Sequence, residues 1–169
     1  MSPRPTGRLD PAGHLVLART FRTSAEDLWG ALTDPGRLAR WYGTWSGDPA
    51  SGRVDLLMTA EDWDRPEPLL IRRCDAPRHL ALTLGTAADA WRVDLDLVDY
   101  GGTTVLHLIH RYPDPDEVES VGPGWEYYLD RLVAAETGGD PEAVDFARDY
   151  HPAMSGHYRP LAQQLRARA

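Results

Sequence analysis

Residues 53 to 112 contain five short segments of strand-like pattern separated by turn residues, and this region constrains the fold more than any other. Residues 91–98 alternate apolar with charged residues, and residues 79–85 alternate leucine with smaller ones. A period of two places one set of side chains on a dry face of a sheet and the other on a wet face. Short turns such as Gly101-Gly102 join successive strands, so we predict an antiparallel meander. The predicted strands span residues 53–60, 69–75, 79–85, 91–98 and 103–112.

A strongly amphipathic segment follows the meander. It opens at Gly122-Pro123-Gly124, closes at Gly138-Gly139, and carries an apolar stripe at helical spacing, formed by Trp125, Tyr128, Leu129, Leu132 and Val133. A stripe of this width needs a surface that buries it, and the meander provides one on its dry face. We therefore predict a long helix packed across the concave side of a curved sheet.

The residues before the meander predict one strand and two short helices. Residues 14–21 have a strand-like pattern, and Thr23 followed by Glu26 forms a capping-box pattern for a helix of about ten residues that starts at Ser24. Asp34-Pro35 then fits the N-cap and first position of a second short helix.

Together these elements predict one α+β domain over residues 14–138, in which a curved antiparallel sheet wraps around a long C-terminal helix and two short helices follow the first strand. A length of 169 residues suits a single hydrophobic core. Residues 1–13, rich in proline and glycine, predict a flexible N-terminal arm without the pattern of a signal peptide. Residues 139–169 predict a helical C-terminal extension, interrupted at Pro152 and Pro160, that packs on the same domain.

Charge and cysteine content narrow the classes of partner. The formal net charge is −8 and the basic residues are scattered, so we expect no nucleic-acid partner. No stretch is long and apolar enough for membrane insertion. The single cysteine, Cys74, predicts a free and unreactive thiol, which fits a cytoplasmic protein. The sequence has no spacing typical of a metal site and no phosphate-binding loop, so we expect neither a metal nor another cofactor.

Several motifs resemble a known family. The chain is similar to bacterial proteins related to the activator of heat-shock-protein-90 ATPase, in the START-like helix-grip (SRPBCC) superfamily. The motifs that carry the resemblance are Leu28 to Pro35, Trp41-Tyr42, Pro77 with Leu80, and Gly102-Thr103 followed by Leu106, Leu108 and His110. The resemblance implies the helix-grip fold, with a cavity between sheet and helix. Because the chain lacks the asparagine-and-tryptophan signature and the extra N-terminal domain of the eukaryotic co-chaperone, we do not expect it to stimulate a chaperone ATPase.

Large aromatic side chains occur where the resemblance places this cavity. Aromatic walls suit an apolar or planar ligand, although the same spacing is also typical of ordinary core packing. The candidate ligand-binding residues are Trp41, Trp45, Met58, Trp63, Trp91, Leu106, His110, Trp125, Tyr128, Leu129 and Leu132.

His110 is the polar member of this set. It alternates with Leu106 and Leu108, which predicts that it projects to the inside of the sheet, whereas His107 lies on the other face. A buried neutral histidine either orients a ligand, acts as an acid or base, or is a structural residue bonded to a neighbour.

Three other groups of polar residues leave alternatives open. If the strand at Arg72-Arg73 is regular, one of the two arginines must point inward and needs a carboxylate partner. Asp94 and Asp96 share a strand face that predicts a solvated convex surface. Residues 61–64 fall in a turn at the predicted cavity rim, where they form either a lid or a solvent loop.

These observations favour binding of a small apolar or amphipathic molecule in the cavity, in a stress-related or secondary-metabolite setting and without catalysis. A polyketide cyclase or aromatase-like enzyme is the alternative, and it would need at least two titratable groups facing one pocket. A co-chaperone-like protein-interaction module is the second alternative, favoured by a core without a cavity. A homodimer is compatible with each of these three functions.

Overall fold

The computed structural model describes residues 2–169. Its strands are β1 (Arg8–Leu9), β2 (Leu15–Phe21), β3 (Thr44–Ser46), β4 (Arg53–Leu57), β5 (Glu67–Asp75), β6 (His79–Leu84), β7 (Trp91–Asp99) and β8 (Thr104–Arg111). Its α-helices are α1 (Ala25–Thr33), α2 (Pro35–Leu38), α3 (Val118–Glu136), α4 (Phe146–Asp149) and α5 (Ser155–Arg168), and short 3-10 turns span Pro49–Ser51, Thr59–Glu61 and Pro141–Ala143.

The strands form one antiparallel sheet in the order β1-β2-β8-β7-β6-β5-β4-β3. Strands β4 to β8 are the predicted meander, and the first long strand, β2, pairs with the last, β8. The long helix α3 packs on the concave face, where Leu129 and Leu132 are almost fully buried. The prediction of a helix-grip α+β fold is therefore confirmed. The short strands β1 and β3, at the two edges of the sheet, were not predicted.

Local boundaries differ from the sequence prediction at two helices. The N-cap of α1 is Ser24, whose hydroxyl accepts a hydrogen bond from the Asp27 amide at 3.2 Å, so Ser24 and not Thr23 caps the helix. Helix α3 begins at Val118, four residues before the predicted start, and includes Pro123 in its second turn. Pro123 has no backbone N–H, so this turn lacks one hydrogen-bond donor. The preceding turn is intact, because the Glu117 carbonyl accepts backbone hydrogen bonds within it.

A β-bulge resolves the ambiguity at the two arginines of β5. The pairing of β5 with β6 shifts between Ile71 and Arg73, and Arg72 is the extra residue. Both arginines therefore stay on the convex face, and the condition under which one of them would point inward, a regular strand, is not met. The same shift places Cys74 opposite Leu80 and on the concave face.

Asp94 is buried rather than solvated, which corrects the prediction for the convex face. Its carboxylate accepts hydrogen bonds from Arg72 Nη2 at 2.9 Å and from Arg111 Nε at 2.6 Å, and the long arginine side chains cover it. Burial alone would raise the pKa of Asp94, but the two arginines outweigh burial and hold that pKa below its ordinary value. Asp96 is half-buried and pairs with His79.

The N-terminal residues are bonded to the domain, contrary to the expectation of a flexible arm. Strand β1 pairs with β2, and the backbone amides of Thr6 and Gly7 both donate to the carboxylate of Glu126 on α3. Arg19 on β2 and the hydroxyl of Tyr158 on α5 donate to the same carboxylate, which is fully buried. One buried carboxylate thus joins both ends of the chain to α3.

Candidate functional site

A cavity of about 210 Å³ lies between the concave face of strands β4 to β8 and helices α1, α2 and α3. Its exposed lining residues Pro49 and Cys74 mark where it reaches solvent. The strands and loops contribute Trp45, Pro49, Val54, Leu56, Leu69, Ile71, Cys74, Leu80, Leu82, Leu84, Val93, Leu95 and Leu108, and the helical side contributes Trp29, Leu32, Thr33, Leu38, Trp41, Tyr42, Trp125, Tyr128 and Leu129.

The chemistry of this lining is almost wholly apolar, because most of its polar atoms are bonded within the protein. The indole N–H groups of Trp41 and Trp45 donate to the carbonyls of Ala31 and Thr33 at 3.0 and 2.8 Å. The Thr33 hydroxyl likewise donates to the Trp29 carbonyl at 2.7 Å. These contacts leave carbon atoms facing the cavity, a surface that suits an apolar ligand.

Five of the eleven candidate residues line the cavity: Trp41, Trp45, Trp125, Tyr128 and Leu129. The other six lie elsewhere. Met58, Leu106 and Leu132 are buried in the surrounding core, and Trp63 is 37% exposed on the loop between β4 and β5. Trp91 is half-buried, with its ring centroid 6.0 Å from that of Trp125.

His110 faces the inside of the sheet, as its alternation predicts, but it is not part of the cavity lining. Its ring is 2% exposed, lies 5.1 Å from the Trp91 ring, and accepts a hydrogen bond at Nδ1 from Trp125 Nε1 at 3.1 Å. Burial lowers the pKa of His110 to about 4, so the imidazole is neutral near pH 7. Trp125, and not His110, is the residue of this pair that meets the cavity.

Sequence reasoning missed most of the aliphatic wall, including Ile71, Leu82 and Leu84. Alternation on β6 places Leu82 and Leu84 correctly on the dry face, whereas the apolar run on β5 gives no phase for Ile71. Neither pattern reveals which part of the dry face the helices leave uncovered. Cys74 was missed for another reason, because only the bulge at Arg72 turns it inward. Cys74 is a free cysteine, as predicted, and it is exposed at the cavity mouth. Its low reactivity stays a prediction, which labelling of the native protein with a mild thiol reagent tests.

One end of the cavity is polar. The rings of Tyr42 and Tyr128 meet edge to face with centroids 4.7 Å apart, and the Tyr128 hydroxyl donates to Glu61 Oε1. Glu61 lies in the short 3-10 turn after β4, so the turn at residues 61–64 contacts α3 at this point. Burial is the main cause that raises the pKa values of both tyrosines above their ordinary value. The Glu61 charge adds to it at Tyr42, and the hydrogen bond to Glu61, followed by its charge, adds to it at Tyr128. Both phenols are therefore neutral across the physiological range.

Residues 2–169 contain neither a metal-binding cluster nor a membrane-spanning helix. No group of three histidine, cysteine or acidic side chains in this range could hold a metal ion. None of the described helices is long and apolar enough to cross a membrane.

One known protein family matches most of the chain. The family model described as Activator of Hsp90 ATPase homolog 1-like protein matches residues 22–136, from the end of β2 to the end of α3. The chain belongs to this family. The match covers strands β3 to β8 and all the residues that line the cavity of this AHSA1-like protein, and it stops before α4 and α5. No curated protein matches the sequence.

Solved structures share the fold of this AHSA1-like chain over most of its length. The solution structure of CalU16 from Micromonospora echinospora is 26% identical, with a TM-score of 0.64 over 98% of this chain and 91% of that chain. A Bordetella parapertussis protein is also 26% identical, with a TM-score of 0.64 over 100% of this chain and 95% of that chain. DynU16, from the dynemicin biosynthetic locus, is 19% identical, with a TM-score of 0.57 over 78% of this chain and 50% of that chain. The fold is that of the START-like helix-grip superfamily.

Proposed function

We propose that this AHSA1-like protein binds a small apolar or amphipathic molecule in the cavity between its sheet and α3. The observation that carries the proposal is the cavity of about 210 Å³, whose wall is built from aliphatic and aromatic side chains. Such a surface gains free energy when a ligand displaces water from it. A cavity in this position also favours ligand binding over the protein-interaction module.

The setting that we propose is secondary metabolism. Support comes from DynU16, a protein of the same fold that belongs to a biosynthetic locus. Planar polycyclic compounds fit walls that contain Trp41, Trp45 and Trp125. A role in stress tolerance would use the same cavity, with sequestration of an apolar compound as its outcome.

A cyclase or aromatase-like activity is the second candidate, and the polar end of the cavity favours it. Tyr42 and Tyr128 are two titratable groups that line one pocket, as such an enzyme requires. Both are held neutral, so they can orient or protonate a substrate but cannot serve as bases at neutral pH. His110 contributes no exposed base, because Trp91 and Trp125 cover it. Binding without turnover therefore remains our leading proposal.

The test is a fluorescence titration with N-phenyl-1-naphthylamine, an uncharged apolar probe. We expect saturable binding at one site by the wild-type protein. Leu82→Trp places a large ring inside the cavity and is expected to weaken binding on the order of tenfold or more. Ile71→Trp is a second cavity-filling variant, should the first fail to fold.

The matched control is Val98→Trp, which adds the same side chain at an exposed position of β7. This control should bind like the wild type. Equal binding by the wild type and both cavity variants, or no saturable binding at all, would contradict the proposal. Recovery of a converted product after incubation with a polyketide-like substrate would favour the enzymatic alternative instead.

A further inference from the structure

At the polar end of the cavity, the two tyrosine hydroxyls offer a ligand more hydrogen-bond acceptors than donors. The Tyr128 hydroxyl gives its single proton to Glu61, so toward the cavity it can only accept. The Tyr42 hydroxyl makes none of the hydrogen bonds found within residues 2–169, and it is free to accept or to donate. The lining therefore offers more acceptors than donors at this end.

The negative charge of Glu61 adds to this preference for hydrogen-bond donors. Glu61 contacts Tyr128 directly, and its charge also acts on Tyr42. A carboxylate brought to this end would be repelled by the negative charge of Glu61, which disfavours its binding. A hydroxyl or amine placed there would instead donate to a phenolic oxygen that Glu61 has made a better acceptor, because hydrogen bonds in a chain polarise one another.

We infer that Glu61, acting through Tyr128 and beside Tyr42, selects ligands whose apolar body ends in a hydrogen-bond donor. The ligand class is an aromatic or polycyclic molecule with a phenol, alcohol or amine at one end, and carboxylic acids of the same shape are rejected. Tyr42 and Tyr128 contact the ligand, whereas Glu61 is a positioning residue. This inference rests on the proposed function, because it names the ligand class of the same cavity.

The experiment compares three probes of one shape by calorimetry at pH 7 and 150 mM salt: naphthalene, 2-naphthol and 2-naphthoate. We expect 2-naphthol to bind about three- to tenfold more tightly than naphthalene, the effect of one added hydrogen bond. We expect 2-naphthoate to bind more weakly than naphthalene. Tyr42→Phe should lower the ratio of the 2-naphthol affinity to the naphthalene affinity, because it removes the hydroxyl and keeps the ring.

Glu61→Gln tests the charge itself. It keeps the side-chain volume, and we expect it to raise the affinity for 2-naphthoate relative to that for naphthalene at least threefold. The matched control is Asp64→Asn, which removes one negative charge from an exposed position on the same loop. This control should leave the order of the three probes unchanged, and so separates the local effect of Glu61 from the overall negative charge.

The outcomes distinguish this inference from the proposed function. Binding of all three probes with equal affinity, or equal gains for 2-naphthoate in the Glu61 and Asp64 variants, would overturn the inference and leave the proposed cavity in place. Failure of naphthalene itself to bind would overturn both. If Glu61→Gln does not fold, the three wild-type affinities decide, and 2-naphthoate binding as tightly as 2-naphthol would overturn the inference.

Discussion

At the scale of single residues, burial controls the chemistry of the site more than charge does. His110 shows this most clearly, because burial alone moves its pKa from 6.5 to about 4. Its ring sits between the sheet and two tryptophans and accepts one hydrogen bond from Trp125. The residue therefore supports the position of Trp125, which forms part of the cavity wall.

The depressed pKa of His110 predicts a pH-dependent stability. The unfolded chain takes up a proton near pH 6.5 and the folded chain does so only near pH 4, so the unfolded state binds more protons between these values. The His110 contribution is complete above pH 6.5 and is lost as the pH falls through 4. We expect this loss to lower the free energy of unfolding by about 2 kcal/mol between pH 7 and pH 5.

Urea denaturation of the wild type and of His110→Leu at both pH values measures this difference. The variant should show a shallower decrease in the free energy of unfolding, because it lacks this proton uptake. The other titratable groups act equally in the two proteins and cancel in the comparison. Parallel pH dependence of the wild type and variant would mean that folding does not lower the pKa of His110.

The sheet face on which a side chain lies can be predicted in a regular strand but not beside a bulge. On β8, strict alternation was enough to place His110 on the inner face. On β5 the residues from Leu69 to Ile71 are all apolar, so the alternation carries no phase, and the bulge at Arg72 could not be inferred. The burial of Asp94 has the same origin, because it depends on where the bulge directs Arg72.

At the scale of elements, α3 has two different environments along its apolar stripe. Leu129 is 1% exposed but borders the cavity, whereas Leu132 is fully buried and lies away from it. The sequence predicted the stripe correctly, since helical spacing fixes which residues share a face. It could not distinguish the two environments, because they depend on how far α1 and α2 stand from the sheet.

This difference predicts unequal costs for two identical truncations. Leu132→Ala leaves a new void in packed core and should lower the free energy of unfolding by about 3–5 kcal/mol. Leu129→Ala enlarges a space that already exists, so fewer contacts are lost, and we expect about 2–3 kcal/mol. Chemical denaturation of both variants checks the order, and a larger loss for Leu129→Ala would argue that the cavity is filled by packing in solution.

At the scale of the whole molecule, the two ends of the chain meet on the outer side of α3. Glu126 accepts hydrogen bonds from Thr6, Gly7, Arg19 and Tyr158. Burial alone would raise the pKa of Glu126, but the donors outweigh it and the pKa lies below its ordinary value. The carboxylate is therefore ionised and fully bonded, and it holds the N-terminal residues and α5 against the domain.

Removing one donor from this buried charge should be costly. Tyr158→Phe keeps the ring that packs against Gly122 and deletes the hydroxyl bonded to Glu126. We expect the free energy of unfolding to fall by about 1.5–3 kcal/mol, the range for a hydrogen bond to a charged group. Tyr100→Phe, at a position 69% exposed, is the control and should change stability by less than about 0.5 kcal/mol. Equal effects of the two substitutions would show that the hydrogen bond from Tyr158 to Glu126 adds nothing to stability.

The overall architecture was more predictable than the association of the termini. The period-two pattern, the amphipathic stripe of α3 and the family resemblance together gave the curved sheet and its helix. The N-terminal residues instead have a proline- and glycine-rich composition that indicates a loose arm, and their attachment depends on a carboxylate 120 residues away. Such long-range polar contacts leave no periodic signal in the sequence.

Methyl NMR spectroscopy of leucine-labelled protein during a titration with naphthalene tests the central claim most directly. A bound aromatic ring shifts the signals of methyl groups beside it. We expect saturable shifts for the cavity leucines Leu69, Leu82 and Leu84, and unchanged signals for Leu15 and Leu17 in the packed core. An absence of saturable shifts, or shifts spread over leucines outside the cavity, would contradict ligand binding between the sheet and α3.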